Sequence, residues 1–319
     1  AAGVTITREQ DSTPFEEIRH YSEPVVTVAI EPKAMKDLPK FIDALRSLAK
    51  ADASLEVSTN SETGEALLAG MGELHLEITV YRIEHEQGIK VDVSEPIVVY
   101  RETVTGNNHG RSFEGKSPNR HNRFYCEVER LPDEVIEALR DGVFGTGNVR
   151  PKEAKEIGRR FAEYGMDKDL MRKTFTINGT NLLVNDTKGI QYLHETKELL
   201  IEAFNEVCIR GPLAEEPCMG VMVKLVDAKL HEDAIHRGPA QTIPAMRNSI
   251  KGAMVRAGPV ILEPIQKLYV SVPNEWLGGV TRELTQRRGE IEDMPADGET
   301  TTVIGKLPVA ETFGFSNDI

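Results

Sequence analysis

Two stretches of this chain begin with Glu-Pro and continue with the same alternation of strand and helix patterns, which limits the fold to few architectures. In the first stretch, "PVVTVAI" predicts a strand and "DLPKFIDALRSLAK" a helix. The segments "SLEVST" and "EALLAG" predict a hairpin around "NSETG", "ELHLEITVYRIEHEQ" a helix that stops at Gly88, and "IKVDV" a last strand. The order β-α-β-β-α-β predicts a ferredoxin-like domain over residues 23–96.

The second stretch repeats only the first part of this plan. Glu263-Pro264 precedes the strand "KLYVSV", and Asn274 is predicted to cap the helix "EWLGGVTRELTQRR", which ends at Gly289. The segments "EIEDM" and "TTVIGKLPVAE" then predict two strands. Residues 259–319 are therefore expected to form an incomplete ferredoxin-like domain. Because an open half-sheet leaves an unpaired strand edge, we expect the chain to be part of a longer protein.

Residues 97–258 show a different pattern and predict a separate α+β domain. Strands are expected near "IVVYRETV", in "NRFYCEVERL" and in "GVMVKLVDAKL", with helices at 133–141, at 151–164 and in "YLHETKELLIEAFNEVC". A last helix is expected from Pro239 to Gly258. Residues 1–22 show no clear period and are predicted to be a linker. Two helices should each bury one face, formed by Leu38, Phe41, Ile42, Leu45, Leu48 and Ala49 in the first and by Ile243, Met246, Ile250, Ala253 and Ala257 in the last.

The composition restricts the class of protein. The formal net charge of −13 argues against a protein that coats nucleic acid non-specifically, although it can hide a local basic surface. The three cysteines, Cys126, Cys208 and Cys218, lack CxxC spacing and fit buried thiols in a reducing compartment. No apolar run approaches the ~20 residues that span a bilayer. A cytoplasmic protein with no membrane contact is expected.

The segment "GRSFEGKS", Gly110–Ser117, satisfies the P-loop pattern but lacks its context. A P-loop needs a buried strand before the loop and a helix that opens at Lys-Ser, whose N–H groups cradle phosphate. Here a polar turn precedes the segment, and an alternating strand pattern follows it. We therefore expect a basic loop without catalytic residues.

The segment "LHEDAIHRGPAQTIPA" brings two histidines and two acidic residues close together in sequence. His231 and His236 are five residues apart, about 140° around a helix, and they would point to opposite faces of a strand. Neither geometry makes a metal site, so we expect no metal ligands here. His231, Glu232 and Asp233 are interpreted as a polar loop. His236 differs because it falls just before the start of the last helix, near the positive end of its dipole.

A second basic loop, "SPNRHNR", contains Arg120, His121 and Arg123. Two basic loops in one domain of an acidic chain are typical of a surface that contacts phosphate. Neither loop contains an evident aromatic platform for base stacking, so recognition by shape and charge is expected.

The segments "SEPVVTVAIEP", "LLAGMGELHLEI", "GKSPNRHNRFYCEVE" and "LHEDAIHRGPAQTIPAMRN" together resemble the archaeal elongation factor 2 family, over nearly the whole chain. The resemblance implies the family's domain III over residues 23–96, its tRNA-mimicking domain IV over 97–258, with a fold like domain 2 of ribosomal protein S5, and part of domain V over 259–319. It implies GTP-dependent translocation of tRNA and mRNA on the ribosome.

The resemblance also implies site residues and partners. His236 matches the histidine that the family converts to diphthamide, and "HRGPAQ" in place of the eukaryotic "HRGGGQ" indicates an archaeal origin. The expected partners are the decoding region of the ribosome and the diphthamide-synthesis enzymes, for a monomeric chain. GTP and Mg²⁺ would bind a domain outside this chain, leaving this part without a cofactor or an enzymatic activity. The residues expected to contact RNA are Lys116, Ser117, Asn119, Arg120, His121, Arg123, Arg237 and Gly238.

Two alternatives use the same residues differently. A related GTPase of ribosome maturation or of the spliceosome would keep these domains but act elsewhere. A P-loop nucleotidase would use Lys116 to bind a nucleotide.

Overall fold

The structure, a computed structural model, describes residues 24–59 and 66–318; the predicted linker 1–22 and the hairpin turn "NSETG" lie outside these ranges. The chain divides into two compact units. One contains the residues up to Val99 and those from Glu263 onward, and the other is Tyr100–Leu262. In the part of the chain described, no helix is both long and apolar enough to cross a membrane.

The first unit opens with the predicted β-α-β-β-α-β order, which is confirmed. Its strands pair antiparallel in the order β2-β3-β1-β4, and a short strand β5 pairs with the start of β1. The elements are β1 (Val26–Pro32), α1 (Leu38–Ala51), β2 (Glu56–Thr59), β3 (Ala66–Gly70), α2 (Glu73–His85), β4 (Val91–Val93) and β5 (Ile97–Val98).

Helix α1 packs on this sheet through a narrower face than predicted. Phe41, Leu45 and Leu48 are buried, but Ile42 is 39% exposed. Ile42 lies about 100° around the helix from Phe41, and this angle takes it to the edge of the buried stripe.

The central unit contains a six-stranded sheet in the order β7-β8-β12-β11-β10-β9. Strands β6 and β13 pair with each other in a separate two-stranded sheet. All the predicted helices are present. The elements are β6 (Arg101–Val104), β7 (Phe113–Lys116), β8 (Arg123–Arg130), α3 (Asp133–Arg140), β9 (Gly147–Asn148), α4 (Ala154–Glu163), α5 (Lys168–Met171), β10 (Thr174–Asn178), β11 (Asn181–Asn185), α6 (Leu193–Ile209), β12 (Val221–Lys229), α7 (Pro239–Arg256) and β13 (Pro259–Leu262).

The core of the central unit lies on both faces of its sheet. Leu183 packs with α6 and α7, whereas its neighbours Leu182 and Val184 pack with α3 and α4 on the other face. This alternation follows from the two-residue period of a strand. Just after the predicted boundary at residue 258, Pro259–Leu262 pairs antiparallel with Arg101–Val104 of this unit.

The C-terminal part of the first unit has the predicted β-α-β-β order, with strands paired as β14-β17-β15. Asn274 does not cap α8 as predicted. Its side chain bonds the carbonyl of Gly298 at 3.1 Å and the hydroxyl of Thr301 at 2.7 Å, because a 3₁₀ turn intervenes before the helix. The elements are β14 (Ile265–Pro273), α8 (Leu277–Gln286), β15 (Glu290–Asp293), β16 (Ala296–Asp297), β17 (Thr300–Pro308) and α9 (Phe315–Asp318).

Candidate functional site

Strand pairing brings two loops of the central unit together. Strand β8 runs antiparallel to β12 with Arg123 opposite Lys229. The loop that precedes β8, residues 117–122, and the loop that follows β12, residues 230–238, therefore leave the sheet at the same end. We call these two loops the tip. The second loop contains a 3₁₀ turn, Ala234–Arg237, and passes through Gly238 into α7.

The P-loop pattern at Gly110–Ser117 lacks the strand–loop–helix geometry of a nucleotide-binding loop. Its second glycine, Gly115, lies in strand β7, and no helix opens after it. The glycine is required by packing, since a Cβ there would lie 2.0 Å from the carbonyl oxygen of Ala245 and 2.7 Å from the backbone nitrogen of Ser249, both in α7. The geometry needed to cradle phosphate is absent from this segment.

Two asparagine side chains of the first tip loop fix the backbone at His236. The amide nitrogen of Asn122 donates to the His236 carbonyl at 2.6 Å, and that of Asn119 donates to the same oxygen at 3.2 Å. Asn122 is fully buried, and its side-chain oxygen accepts the backbone N–H of His231 at 3.0 Å. The side chain of Gln241, in α7, accepts the Asn119 N–H at 2.9 Å. The position of His236 is therefore set by groups from both loops and from α7.

The imidazole rings of His121, His231 and His236 form one cluster. Their ring centroids are 4.5 Å apart for His231 and His236, 4.9 Å for His121 and His231, and 5.0 Å for His121 and His236. The prediction that His231 and His236 diverge was wrong, because the chain between them is irregular and not a continuous helix or strand. The cluster gathers three rings of a type that can stack with bases, in loops predicted to lack an evident aromatic platform. Within the described residues, no group of three or more His, Cys, Asp or Glu is arranged to hold a metal ion.

Two residues predicted to contact RNA are instead buried. Arg237 is 5% exposed, because its Nη1 donates to the carbonyls of His231 and Glu232, at 2.5 and 2.7 Å, and its Nη2 pairs with Glu195. Its guanidinium also lies over the ring of Tyr192, 4.3 Å from the centroid. Ser117 is 2% exposed, and its hydroxyl accepts the N–H of Asn122 at 2.9 Å. Both residues shape the tip from inside.

Two cations beside the tip, Lys116 and Arg123, share one neighbouring carboxylate. Glu114 pairs with Lys116 at 2.9 Å and with Arg123 at 3.1 Å. A hydrogen bond from Lys116, followed by one from Tyr125, lowers the pKa of Glu114 below its usual value. Arg120 is exposed, with a left-handed backbone at φ 62°, and no described carboxylate pairs with it. The tip is therefore less cationic than its sequence indicates.

Comparison with known proteins identifies the family. Models of Elongation Factor G domain III, Elongation factor G domain IV and the Elongation factor G C-terminus match residues 21–95, 147–258 and 260–319. Elongation factor 2 of Picrophilus torridus is 55% identical over 100% of this chain and 43% of that protein. Elongation factor 2 of Pyrococcus furiosus is 52% identical with the same coverage, and that of Methanoregula boonei 52% over 99% of this chain and 42% of that protein. The chain belongs to the elongation factor 2 family.

The chain spans less than half the length of these elongation factor 2 relatives, and the three matched domains place it in their C-terminal part. The domain IV match includes the second tip loop and its histidine.

Of the elongation factor 2 residues predicted to act at the tip, the structure exposes Lys116, Arg120 and His121. Asn119, Arg123 and Gly238 are half-buried. His236 is also half-buried, and its ring lies next to that of His121.

Sequence reasoning missed three residues that organise this site in the elongation factor 2 chain. Asn122 and Gln241 position the two loops, and Glu114 neutralises two of the cations. A signal for Asn122 was present, because an asparagine at each end of "NRHN" is typical of a loop stabilised by side-chain bonds to backbone. No comparable pattern in the sequence indicates Gln241.

Proposed function

We propose that this chain is the part of a translocation factor whose central unit reaches the decoding region of the ribosome, where it contacts ribosomal RNA and the tRNA–mRNA complex. Membership of the elongation factor 2 family and the domain IV match support the assignment. In this proposal the chain works as a monomer in the cytoplasm.

We propose that His236 is the residue converted to diphthamide by the diphthamide-synthesis enzymes. The observation that carries this proposal is the fixation of its backbone carbonyl by Asn119 and Asn122. These bonds hold the main chain while leaving the imidazole at the surface of the tip. Such an arrangement suits a modifying enzyme, because the loop need not unfold to present the ring.

The charge balance of the tip explains what the modification would change. Lys116 and Arg123 share Glu114, and Arg237 is paired internally with Glu195. Glu232 and Asp233 add two exposed carboxylates. A cationic group on His236 would therefore convert a nearly balanced surface into a positive one, directed at RNA phosphates.

We also propose a fold for each domain, and we place GTP hydrolysis in a part of the protein outside this chain. The strand order β2-β3-β1-β4 supports a ferredoxin-like domain, the β14-β17-β15 sheet supports part of a second one, and the central unit is assigned to the fold of domain 2 of ribosomal protein S5. GTP and Mg²⁺ would bind outside this chain, because the Gly110–Ser117 segment does not fit a nucleotide. This packing also weighs against the nucleotidase alternative.

Site-specific cross-linking tests the proposed location. A photoreactive amino acid at Ile235, which is 82% exposed in the second tip loop, should cross-link to small-subunit RNA of the decoding region when the chain is bound to archaeal ribosomes. A matched probe at Val143, exposed in the same unit but outside the tip, should not. Cross-links from position 235 only to other ribosomal regions, or equal cross-linking from both positions, would overturn the proposal.

A further inference from the structure

A second polar surface lies at the opposite end of the central unit from the tip. Five side chains line an open pocket of about 560 Å³, formed by Asn107, Asn108, His109, Arg111 and Arg256. We call it the basal pocket. Asn107 is bridged to Glu129 near the end of β8, and Arg256 is the last residue of α7, whose length is about 27 Å. The tip lies at the start of both elements.

The guanidinium of Arg256 is held in a fixed orientation. Its Nη1 donates to the carbonyls of Arg111, at 3.4 Å, and Ser112, at 3.2 Å. The guanidinium lies over the ring of Phe113, 4.8 Å from the centroid. Both hydrogen bonds come from Nη1, so they leave Nε and Nη2 uncommitted. An arginine fixed in this way loses little side-chain entropy when it binds an anion.

Arg111 supplies the second cation of the basal pocket. Its side chain is exposed, and no carboxylate in the described part of the chain pairs with it. Arginine presents its donors in a planar fork that matches the oxygens of a phosphate. Two arginines at one pocket can therefore contact one phosphate or two successive ones.

Two carboxylates near the basal pocket are already bonded to neighbouring groups of the chain. Glu129 bonds His109 at 2.5 Å and Lys224 at 3.2 Å, and Lys224 is 9% exposed. Glu127 accepts the backbone N–H of Gly110 at 2.9 Å. Among the described residues that line the pocket, none is acidic. An approaching anion meets the donors of two arginines, because the side chain of Asn108 is buried and already bonded to the backbone of Val128 and Arg111.

We infer that the basal pocket binds the phosphate backbone of single-stranded or looped RNA, as a second RNA contact independent of the tip. The pocket is open, and its volume of about 560 Å³ leaves room for more than one phosphate, which favours a backbone over a free ion. The choice of RNA as the source of phosphate rests on the proposed function. The assignment of the pocket as a phosphate site with two arginines does not rest on the proposed function.

Binding of fluorescein-labelled dodecauridylate to the whole chain, followed by anisotropy over a range of KCl, tests this inference. Arg111→Gln should weaken binding about fivefold and reduce the salt slope by about 0.7 for each phosphate that is no longer neutralised. Arg282→Gln removes the same charge from the exposed face of α8 and should change binding by less than about 1.5-fold. The melting temperature of each variant shows whether the fold is intact.

Three further arms separate the sources of phosphate and the two sites. The Arg111→Gln effect should persist in an Arg120→Gln background, since distant sites act independently. Equal effects of Arg111→Gln and Arg282→Gln would overturn the basal site. Orthophosphate that displaces the RNA from wild type, with thermal protection that Arg111→Gln abolishes, would show a free-anion site and overturn the RNA assignment. Failure of the tip cross-links with an intact Arg111 effect would count against the proposed function alone.

Discussion

The two ends of helix α7 differ in how their polar groups are used. At the first turn, groups of the two tip loops bond to each other, as the Asn122–His236 contact shows, and Arg237 pairs with Glu195 of α6. At the last turn, Arg256 is oriented by bonds from one nitrogen, and Arg111 beside it is unpaired within the described residues. The contacts at the first end fix the position of His236. The second end presents the positive charges of Arg111 and Arg256 to solvent.

Helix α7 packs closely on strand β7 between these two ends. Disrupting this packing should have the largest effect on the free energy of unfolding. Gly115→Ala would place a Cβ 2.0 Å from a backbone oxygen of α7, so we expect about 3 kcal/mol less free energy of unfolding in urea titrations. Gly106→Ala is a matched control, because its added Cβ would meet the nearest atom at an ordinary 3.5 Å. A loss below about 1 kcal/mol for Gly115→Ala would show that the helix can move away from the strand without cost.

The next largest effect concerns an asparagine at each end of α7. Replacing the one at the tip should lower the free energy of unfolding more than replacing the one at the basal pocket. Asn122→Ala leaves the buried N–H of His231 and the carbonyl of His236 without their closest partners, so it should cost about 2 kcal/mol of unfolding free energy. Asn107→Ala, at the exposed basal end, should cost less than about 0.5 kcal/mol. Urea titrations of both variants measure the difference. Similar losses would contradict the contrast between an internally bonded tip and an open basal pocket.

A smaller effect is expected from Glu114→Gln, which frees Lys116 and Arg123 at the tip. Binding of labelled dodecauridylate should tighten about threefold at neutral pH, because two cations lose their carboxylate partner. Unchanged binding would mean that the tip does not contact this RNA.

The pH dependence of the Glu114 contact checks the same interpretation. Since hydrogen bonds from Lys116 and Tyr125 lower the pKa of Glu114, its ionised form stabilises the folded chain above the unfolded pKa. That contribution is lost as the pH falls through the lowered folded pKa. The stability difference between wild type and Glu114→Gln should therefore shrink in acid, and a difference that grows in acid would refute the pairing.

Local patterns were sufficient to predict the order of strands and helices in the first unit, whereas strands β7, β9, β10 and β11 of the central unit were not predicted. The two-residue period of strands and the 3.6-residue period of helices indicate which faces are buried. They predicted the elements that form both sheets of the first unit. The cysteines were also predicted correctly as buried thiols, and burial raises the pKa of Cys126 and Cys218 to about 12.

The details of the tip depend on contacts that no local pattern contains. Arg237 is buried because its guanidinium pairs with Glu195, 42 residues earlier, and lies over the ring of Tyr192. His231 and His236 meet because the loop between them is held by Asn122, which lies 114 residues before His236. The resemblance therefore implied an RNA contact for an arginine that is buried, and sequence spacing predicted separation for two neighbouring rings.

The assignment of His236 as the modified residue at a preformed tip is tested most directly by ADP-ribosylation with a toxin of the diphtheria type. The chain made in an archaeal or eukaryotic host should incorporate label from radioactive NAD⁺. The same chain made in bacteria, and His236→Ala from either host, should incorporate none. Labelling of His236→Ala, or absence of label in the chain from the archaeal host despite full-length relatives being labelled alongside it, would contradict the assignment.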